Sequence, residues 1–181
     1  MHRKIALAAL LLILAVINWS IYQKEQLLSH GRVVFLELAP IDPRSLMQGD
    51  YMALSFQLER DIYSALPKQE NGHWRRDVDA ADGLVVVNLD QRQVATYAGL
   101  FNGQTLQPNQ VLMRYRVRNG SVKFATNGFF FQEGHADYYD DARFGAFRVD
   151  QDGELLLTAL YSPTLHALGP DTGPTPSISA P

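Results

Sequence analysis

The segment EGHADYYDDAR brings together side chains whose types and spacing could support chemistry. It begins at Glu133 and Gly134 and contains four carboxylates, at Glu133, Asp137, Asp140 and Asp141. A carboxylate cluster can serve acid–base catalysis if burial moves the pKa values of its members apart. The same residues in a polar turn need no special environment. We interpret the segment as a solvated acidic turn, in which Arg143 could pair with a carboxylate.

The other polar residues predict no metal or cofactor site. The chain has no cysteine, which excludes disulfides, thiolate ligands and a thiol nucleophile. The segments DVDAADG and DQDGE resemble calcium loops, but their glycines and last carboxylates are out of register, so we interpret both as turns. Nucleotide-binding glycine loops and the G-x-S-x-G motif are absent from the sequence. The five histidines are widely separated, at His2, His30, His73, His135 and His166.

Length and charge limit the remaining classes of protein. A chain of 181 residues has room for one domain with appendages. Its net charge is -3, and its lysines and arginines are scattered singly. Such a surface offers no basic patch for phosphates, so nucleic acid is not an expected partner.

The N-terminal segment predicts a membrane anchor. Residues 5–17 are an unbroken apolar run that follows Arg3 and Lys4, and Trp19 and Tyr22 come next, as in an interfacial aromatic belt. At 1.5 Å per residue, residues 5–22 span roughly 27 Å, close to the thickness of a bilayer core. A cleaved signal peptide has a similar start, but no small-x-small pair follows the run, so we expect the helix to remain attached.

Charge predicts the orientation of this helix. Arg3, Lys4 and the amino terminus outweigh the charges that directly follow the apolar run. We therefore expect a single-pass protein of the inner (cytoplasmic) membrane, with a cytoplasmic N-terminus and a domain that faces the periplasm or the exterior. The segment QKEQLLSHG is expected to extend the helix by about two turns until Gly31 ends it.

The pattern after Gly31 is that of strands. Alternating or β-branched segments are separated by turn formers such as RNGS and DQDG. The fold class is therefore mainly β, a coiled antiparallel sheet or barrel-like domain after one transmembrane helix. The expected parts are an anchor with its helical extension at 1–30, an extracytoplasmic β domain at 31–162 and a disordered Pro-rich tail at 163–181.

Within the β domain, the pattern predicts that DIYSALP forms a short helix and that KQENGHWRRDVDAADG forms a loop. The predicted strands are RVVFLEL, YMALSFQLE, GLVVVNL, QVATYAGL, QVLMRYRVR, SVKFA, GFFFQ, FGAFRVD and ELLLTALY.

The segment APIDPRSLMQGDYMALSFQL at residues 39–58 predicts a double turn before a core strand. Pro43 restricts its own φ and that of Asp42, whose side chain can nucleate a turn. Gly49 permits a second bend, and Asp50 can cap free amides or pair with Arg44. In the strand that follows, one face is apolar: Met52, Leu54, Phe56 and Leu58.

These residues also carry a resemblance to a known family. GDYMALSFQL resembles the signature of a bacterial family named for its G-D-Y-x-x-L-x-Y-x-F motif. Gly49, Asp50, Tyr51 and Leu54 match, whereas Phe56 and Leu58 stand where tyrosine and phenylalanine are usual. The upstream DPRSLMQ and the later FFFQEG, with Glu133 and Gly134, extend the similarity over residues 32–161. The resemblance implies a membrane-anchored protein of unknown function, often encoded beside an uncharacterised multi-pass membrane protein.

A fainter resemblance is to type I signal peptidases, which also follow a membrane helix with a serine, a proline and GD before a strand. Aligned on Gly49 and Asp50, the nucleophilic serine falls near Ile41 and the lysine base near Ala95. Ser45 and Lys123 are the residues that could take the place of this serine and this lysine. Because a serine hydroxyl without a base is unreactive, the catalytic dyad does not carry over, although a similar coiled β fold could.

We therefore expect a non-enzymatic envelope protein without a cofactor. Its residues 5–22 lie in the lipid bilayer, and its β domain binds a partner, such as a multi-pass membrane protein. The alternative is a Ser-Lys peptidase-like hydrolase, or a degenerate relative that binds an extended peptide by strand addition.

The double turn generates a prediction. Gly49→Val should cost about 1 to 3 kcal/mol if residue 49 has positive φ, because a β-branched side chain is strained there. Asp140→Asn, on a solvated turn, should change stability by no more than about 0.5 kcal/mol. Urea unfolding of both variants tests this. A wild-type midpoint for Gly49→Val together with a collapse of Asp140→Asn would reverse the roles of the two segments.

Overall fold

The computed structural model describes residues 2–39, 47–48, 51–67, 80–126 and 128–170. Its first element is helix α1, His2–His30, which is long and apolar enough to cross a membrane. Side chains at residues 3–7 and 9–26 of α1 are exposed, and Leu27 is buried against the β domain. The helix ends one residue before Gly31, as the sequence predicts.

Ten strands and a second helix follow α1 within the described residues. Helix α2 spans Gln57–Ala65, and a 3-10 helix spans Ala136–Tyr139. The strands are β1 (Arg32–Glu37), β2 (Met47–Gln48), β3 (Tyr51–Ala53), β4 (Ala81–Leu89), β5 (Ala95–Leu100), β6 (Gln110–Arg118), β7 (Ser121–Lys123), β8 (Gly128–Phe130), β9 (Phe144–Val149) and β10 (Leu155–Tyr161).

The strands form a curled antiparallel half-barrel. One part has the strand order β1-β9-β10, a second β5-β4-β6-β7 and a third β2-β3-β8. Isolated bridges join these parts: Phe35 pairs with Val94 just before β5, and Leu38 pairs with Phe56. The expected fold class, a mainly β domain with a coiled antiparallel sheet after one apolar helix, is confirmed.

The core lies inside this curl, and Phe56 is at its centre. Its side chain has no exposed surface, and its ring packs edge-on against the rings of Phe147 in β9 and Phe124 just after β7. The ring centroids lie 5.3 and 6.1 Å away, which is the usual range for edge-to-face pairs. Phe56 thus packs against both large parts of the sheet.

The predicted strand YMALSFQLE is wrong beyond its first residues. Strand β3 ends at Ala53, which pairs with Gly128, the first residue of β8. Helix α2 then starts at Gln57. The expected alternation of burial persists, because Met52, Leu54, Phe56 and Leu58 are all buried. From Leu58 onward burial follows a helical period instead, with Ile62 and Leu66 on the same face.

Two of the predicted turns are present, RNGS and DQDG, whereas the turn predicted for DVDAADG is wrong at residues 81–83, which belong to β4. RNGS forms the β6–β7 hairpin, with Asn119 and Gly120 both at positive φ, as a two-residue hairpin turn requires. In DQDG, the Asp150 carboxylate accepts hydrogen bonds from the backbone N–H groups of Asp152 and Glu154, and Gly153 has a φ of 82°.

Two predicted segments extend differently from the expectation. The loop predicted at residues 68–83 ends earlier, because β4 starts at Ala81. Residues 68–79 of this loop lie outside the described residues. In the predicted tail, residues 163–170 contact the β domain. There the Leu168 N–H donates to the Leu160 carbonyl, and Ala167 pairs with Tyr161. Residues 171–181 lie outside the described residues.

The position of Phe56 generates a prediction. Phe56→Ala should lower the free energy of unfolding by about 3 to 5 kcal/mol, because it leaves a cavity between two parts of the sheet. Phe130→Ala removes the same atoms from a side chain that is 76% exposed, and its effect should stay within about 0.5 kcal/mol. Denaturant unfolding of the full chain in detergent measures both. Equal effects would contradict the central role of Phe56.

Candidate partner-binding surface

Two aromatic rings lie exposed on the small sheet formed by β2, β3 and β8. Tyr51 of β3 and Phe130 of β8 are paired across the strands, and their ring centroids are 5.9 Å apart. Phe130 is 76% exposed and Tyr51 38%. We call these two residues the aromatic patch.

Strand alternation explains why Phe130 faces outward. Phe129 and Phe131 both contact the ring of Tyr139 in the 3-10 helix, at centroid distances of 5.1 and 5.4 Å. Successive side chains of a strand point to opposite faces, so Phe130 lies on the other face. Burial of Tyr139 raises the pKa of its phenol above the ordinary value. The apolar packing on one face of β8 thus holds the patch on the other.

The acidic turn lies next to this aromatic packing. Glu133, Gly134, Asp137, Asp140 and Asp141 are all exposed, and Gly134 has a φ of 81°. The pairing suggested for Arg143 is wrong: its guanidinium contacts the Glu37 carboxylate of β1 at 2.7 Å. This ion pair links the start of β9 to the end of β1, and the carboxylates of the turn face solvent.

The family-motif residues divide between core and surface. Leu54, Phe56 and Leu58 are buried in the core, whereas Tyr51 belongs to the exposed patch. The residues of the predicted double turn lie outside the described residues: Asp42, Pro43, Arg44, Gly49 and Asp50.

The hypothetical Ser-Lys pair is not brought together by anything the structure describes. Lys123 lies on β7 opposite Arg116, and Ser45 lies outside the described residues. Across residues 2–39, 47–48, 51–67, 80–126 and 128–170, no three histidine, aspartate or glutamate side chains converge as metal ligands.

Sequence reasoning missed Phe130 as a surface residue. GFFFQ predicts a strand, and the strand is present, but an apolar run suggests burial on both faces. The signal was the length of the run: three successive phenylalanines in a strand must place one ring on the face opposite the other two. Which face is the core could not be read from the run itself.

Fold and surface together define a class of protein: one helix that can cross a membrane, joined to a curled antiparallel β domain with an exposed aromatic pair. A family model described as GDYXXLXY protein matches residues 13–160, and the chain belongs to this family. In the family motif, Gly49, Asp50, Tyr51 and Leu54 match, and Phe56 replaces the last tyrosine. No curated protein and no solved structure matches the chain. The resemblance to type I signal peptidases therefore gains no support.

Buried tyrosines generate a prediction about alkaline pH. Burial raises the pKa of Tyr97, Tyr115, Tyr139 and Tyr161. A raised folded-state pKa means that the unfolded chain loses these protons first, so stability is full below the unfolded pKa near 10 and falls as pH rises above it. Tyr139→Phe should leave stability near neutral pH unchanged and flatten the alkaline decline. Thermal unfolding between pH 7 and pH 11 measures this, and an unchanged slope would contradict it.

Proposed function

We propose that this protein is a membrane-anchored, non-enzymatic envelope protein whose β domain binds another membrane protein. In this proposal α1 crosses the inner membrane with its N-terminus in the cytoplasm, and the β domain faces the periplasm or the exterior. The partner is the extracytoplasmic part of a multi-pass membrane protein. Support for the anchor comes from the length and apolar character of α1 and from the charges at its start.

The aromatic patch is the observation that carries the proposal. Tyr51 is a residue of the motif that names the family, yet the core does not require it, whereas Leu54 and Phe56 of the same motif are buried. Exposed aromatic side chains are frequent at binding surfaces, because they contribute large contact areas and lose little conformational freedom. A tyrosine and a phenylalanine in contact on the surface suit an apolar anchor of a partner.

Strand β8 also suits a partner with an extended segment. Among the described residues, β8 pairs with β3 on one side only, and it lies at the edge of the order β2-β3-β8. An edge strand can accept a further strand through its backbone, while exposed rings such as Phe130 select the side chains of the added strand. Such strand addition needs no catalytic group.

The position of the patch favours an extracytoplasmic partner. Strand β1 runs from Arg32, next to the end of α1, to Glu37, a distance of about 17 Å at 3.3 Å per residue. Arg143 pairs with Glu37 and directly follows the turn that supports β8. The turn that supports β8 is thus linked to the end of β1 that lies farther from α1 along the strand, which supports contact with an extracytoplasmic segment of the partner.

Site-specific photo-crosslinking in intact cells of the native host tests this proposal. The photoreactive amino acid p-benzoylphenylalanine replaces Phe130 in one strain and Arg92 in another. Arg92 is an exposed control on the β4–β5 turn. We expect one dominant adduct at residue 130, identified by mass spectrometry as a multi-pass membrane protein, and none with that protein at residue 92.

A second pair of substitutions separates specific contact from proximity. Tyr51→Ala should reduce the adduct at residue 130 several-fold, because half of the patch is lost. Tyr138→Ala removes another exposed tyrosine outside the patch and should leave the adduct unchanged. Absence of an adduct with a membrane protein at residue 130, or an equal loss in both alanine variants, would overturn the proposal.

A further inference from the structure

A cleft separates the end of α1 from the β domain. Its volume is about 1010 Å³. One wall follows α1 and the start of β1, from Trp19 to Arg32. The opposite wall contains Leu106, residues 110–112 at the start of β6, and residues 149–152 and 154 at the end of β9 and in the β9–β10 turn. We call it the juxtamembrane cleft.

The cleft begins where α1 leaves the hydrocarbon region. Trp19 and Tyr22 lie in its wall, and their ring centroids are 6.2 Å apart. Such rings prefer the level of lipid headgroups. From Trp19 the cleft continues along α1 to Arg32, about 20 Å at the helical rise per residue. Its lower part is therefore at the depth of the headgroups on the domain's side of the membrane.

The two walls carry opposite charges. Lys24 and Arg32 are on the helix side, and Asp150, Asp152 and Glu154 are on the side of the turn. Two of these carboxylates have structural roles, since Asp150 accepts the hydrogen bonds of the turn and Glu154 contacts the Arg114 guanidinium at 2.6 Å. Lys24 and Asp152 are exposed, and neither belongs to an ion pair among the described residues.

Apolar side chains form the floor between these walls. Leu106 and Leu112 line the cleft and are only partly buried, beside Leu27, Val111 and Val149, which are buried. A ligand that fits must therefore have an apolar portion for the floor, a negative group for the helix wall and a positive group for the turn. A phospholipid with a zwitterionic headgroup has all three.

We propose that the juxtamembrane cleft binds phosphatidylethanolamine, with the phosphate next to Lys24 and the ammonium next to Asp152. The primary ammonium donates hydrogen bonds to a carboxylate, whereas the quaternary ammonium of phosphatidylcholine has no N–H to donate. Phosphatidylglycerol has no positive group for Asp152. This inference rests on the proposed membrane-spanning role of α1 and is independent of the partner at the aromatic patch.

Native mass spectrometry of the full chain in dodecylmaltoside tests the proposal, with phosphatidylethanolamine and phosphatidylglycerol supplied in equal amounts. We expect the wild-type chain to bind phosphatidylethanolamine in preference. Lys24→Gln should weaken binding of both lipids about fivefold, because each loses its phosphate contact. Asp152→Asn should weaken only phosphatidylethanolamine, so that the preference disappears.

Matched controls neutralise the same charges elsewhere. Arg60→Gln on α2 and Asp140→Asn on the acidic turn both lie on exposed positions outside the cleft and should leave lipid binding unchanged. Equal binding of the two lipids by the wild-type chain, or equal effects in cleft and control variants, would overturn the proposal. So would a dimer that decreases in the cleft variants while lipid binding persists, because the cleft would then be an interface between two chains.

Carbonate extraction of membranes that contain the same variants separates this proposal from the anchor. Release of the wild-type chain into the soluble fraction would show that α1 is not a membrane span, and it would overturn both proposals. A chain that stays in the membrane pellet but shows no lipid preference would overturn only the headgroup site. Retention together with the expected preference supports both.

Discussion

Packing around the Phe56 ring is the constraint on which the rest of the domain depends. The residue pairs through its backbone with Leu38 at the end of β1, and its ring contacts Phe147 and Phe124 from the two large parts of the sheet. Gly145 leaves the space for this ring, because a Cβ at residue 145 would lie 3.0 Å from the Phe56 Cε1. Because Phe56 is fixed in this space, Met52 and Leu54 on the same face of the chain are buried with it, whereas Tyr51 on the other face is exposed.

A second close contact, between the end of α1 and β9, fixes the position of the helix against the β domain. A Cβ at Gly31 would collide with the Leu27 carbonyl and lie 3.1 Å from the Arg148 Cβ, so only glycine permits α1 to approach β9 this closely. Arg148 donates a hydrogen bond to the Gly31 carbonyl at 2.9 Å, and Leu27 is buried beside it. These contacts hold the helix against one end of the domain. The juxtamembrane cleft lies beside these contacts, and it shares no residue with the aromatic patch on the small sheet, so the two proposed surfaces can act independently.

The elements predicted from sequence were those whose signals are local. Strands such as β4 and β6 have long β-branched or alternating segments, and the turns RNGS and DQDG have glycines and side-chain caps at the required positions. The segment after β3 could not be predicted, because the alternation of Met52, Leu54, Phe56 and Leu58 is typical of a strand and also satisfies an extended entry into a helix. Beyond Ala53 the chain pairs with the end of β1 instead, where the Ala39 N–H donates to the Ser55 carbonyl and Leu38 pairs with Phe56, and these partners are distant in the sequence.

By itself, the sequence determined the apolar helix, its end at Gly31, the mainly β class and the family, because each depends on neighbouring residues or on a short motif. Tertiary structure alone decided which ring of GFFFQ is exposed, that Arg143 pairs with Glu37, and that charges of both signs line one cleft beside α1. Each of these joins residues that are far apart along the chain. Local propensity carries no information about such contacts, since they form only when the sheet curls and its ends meet.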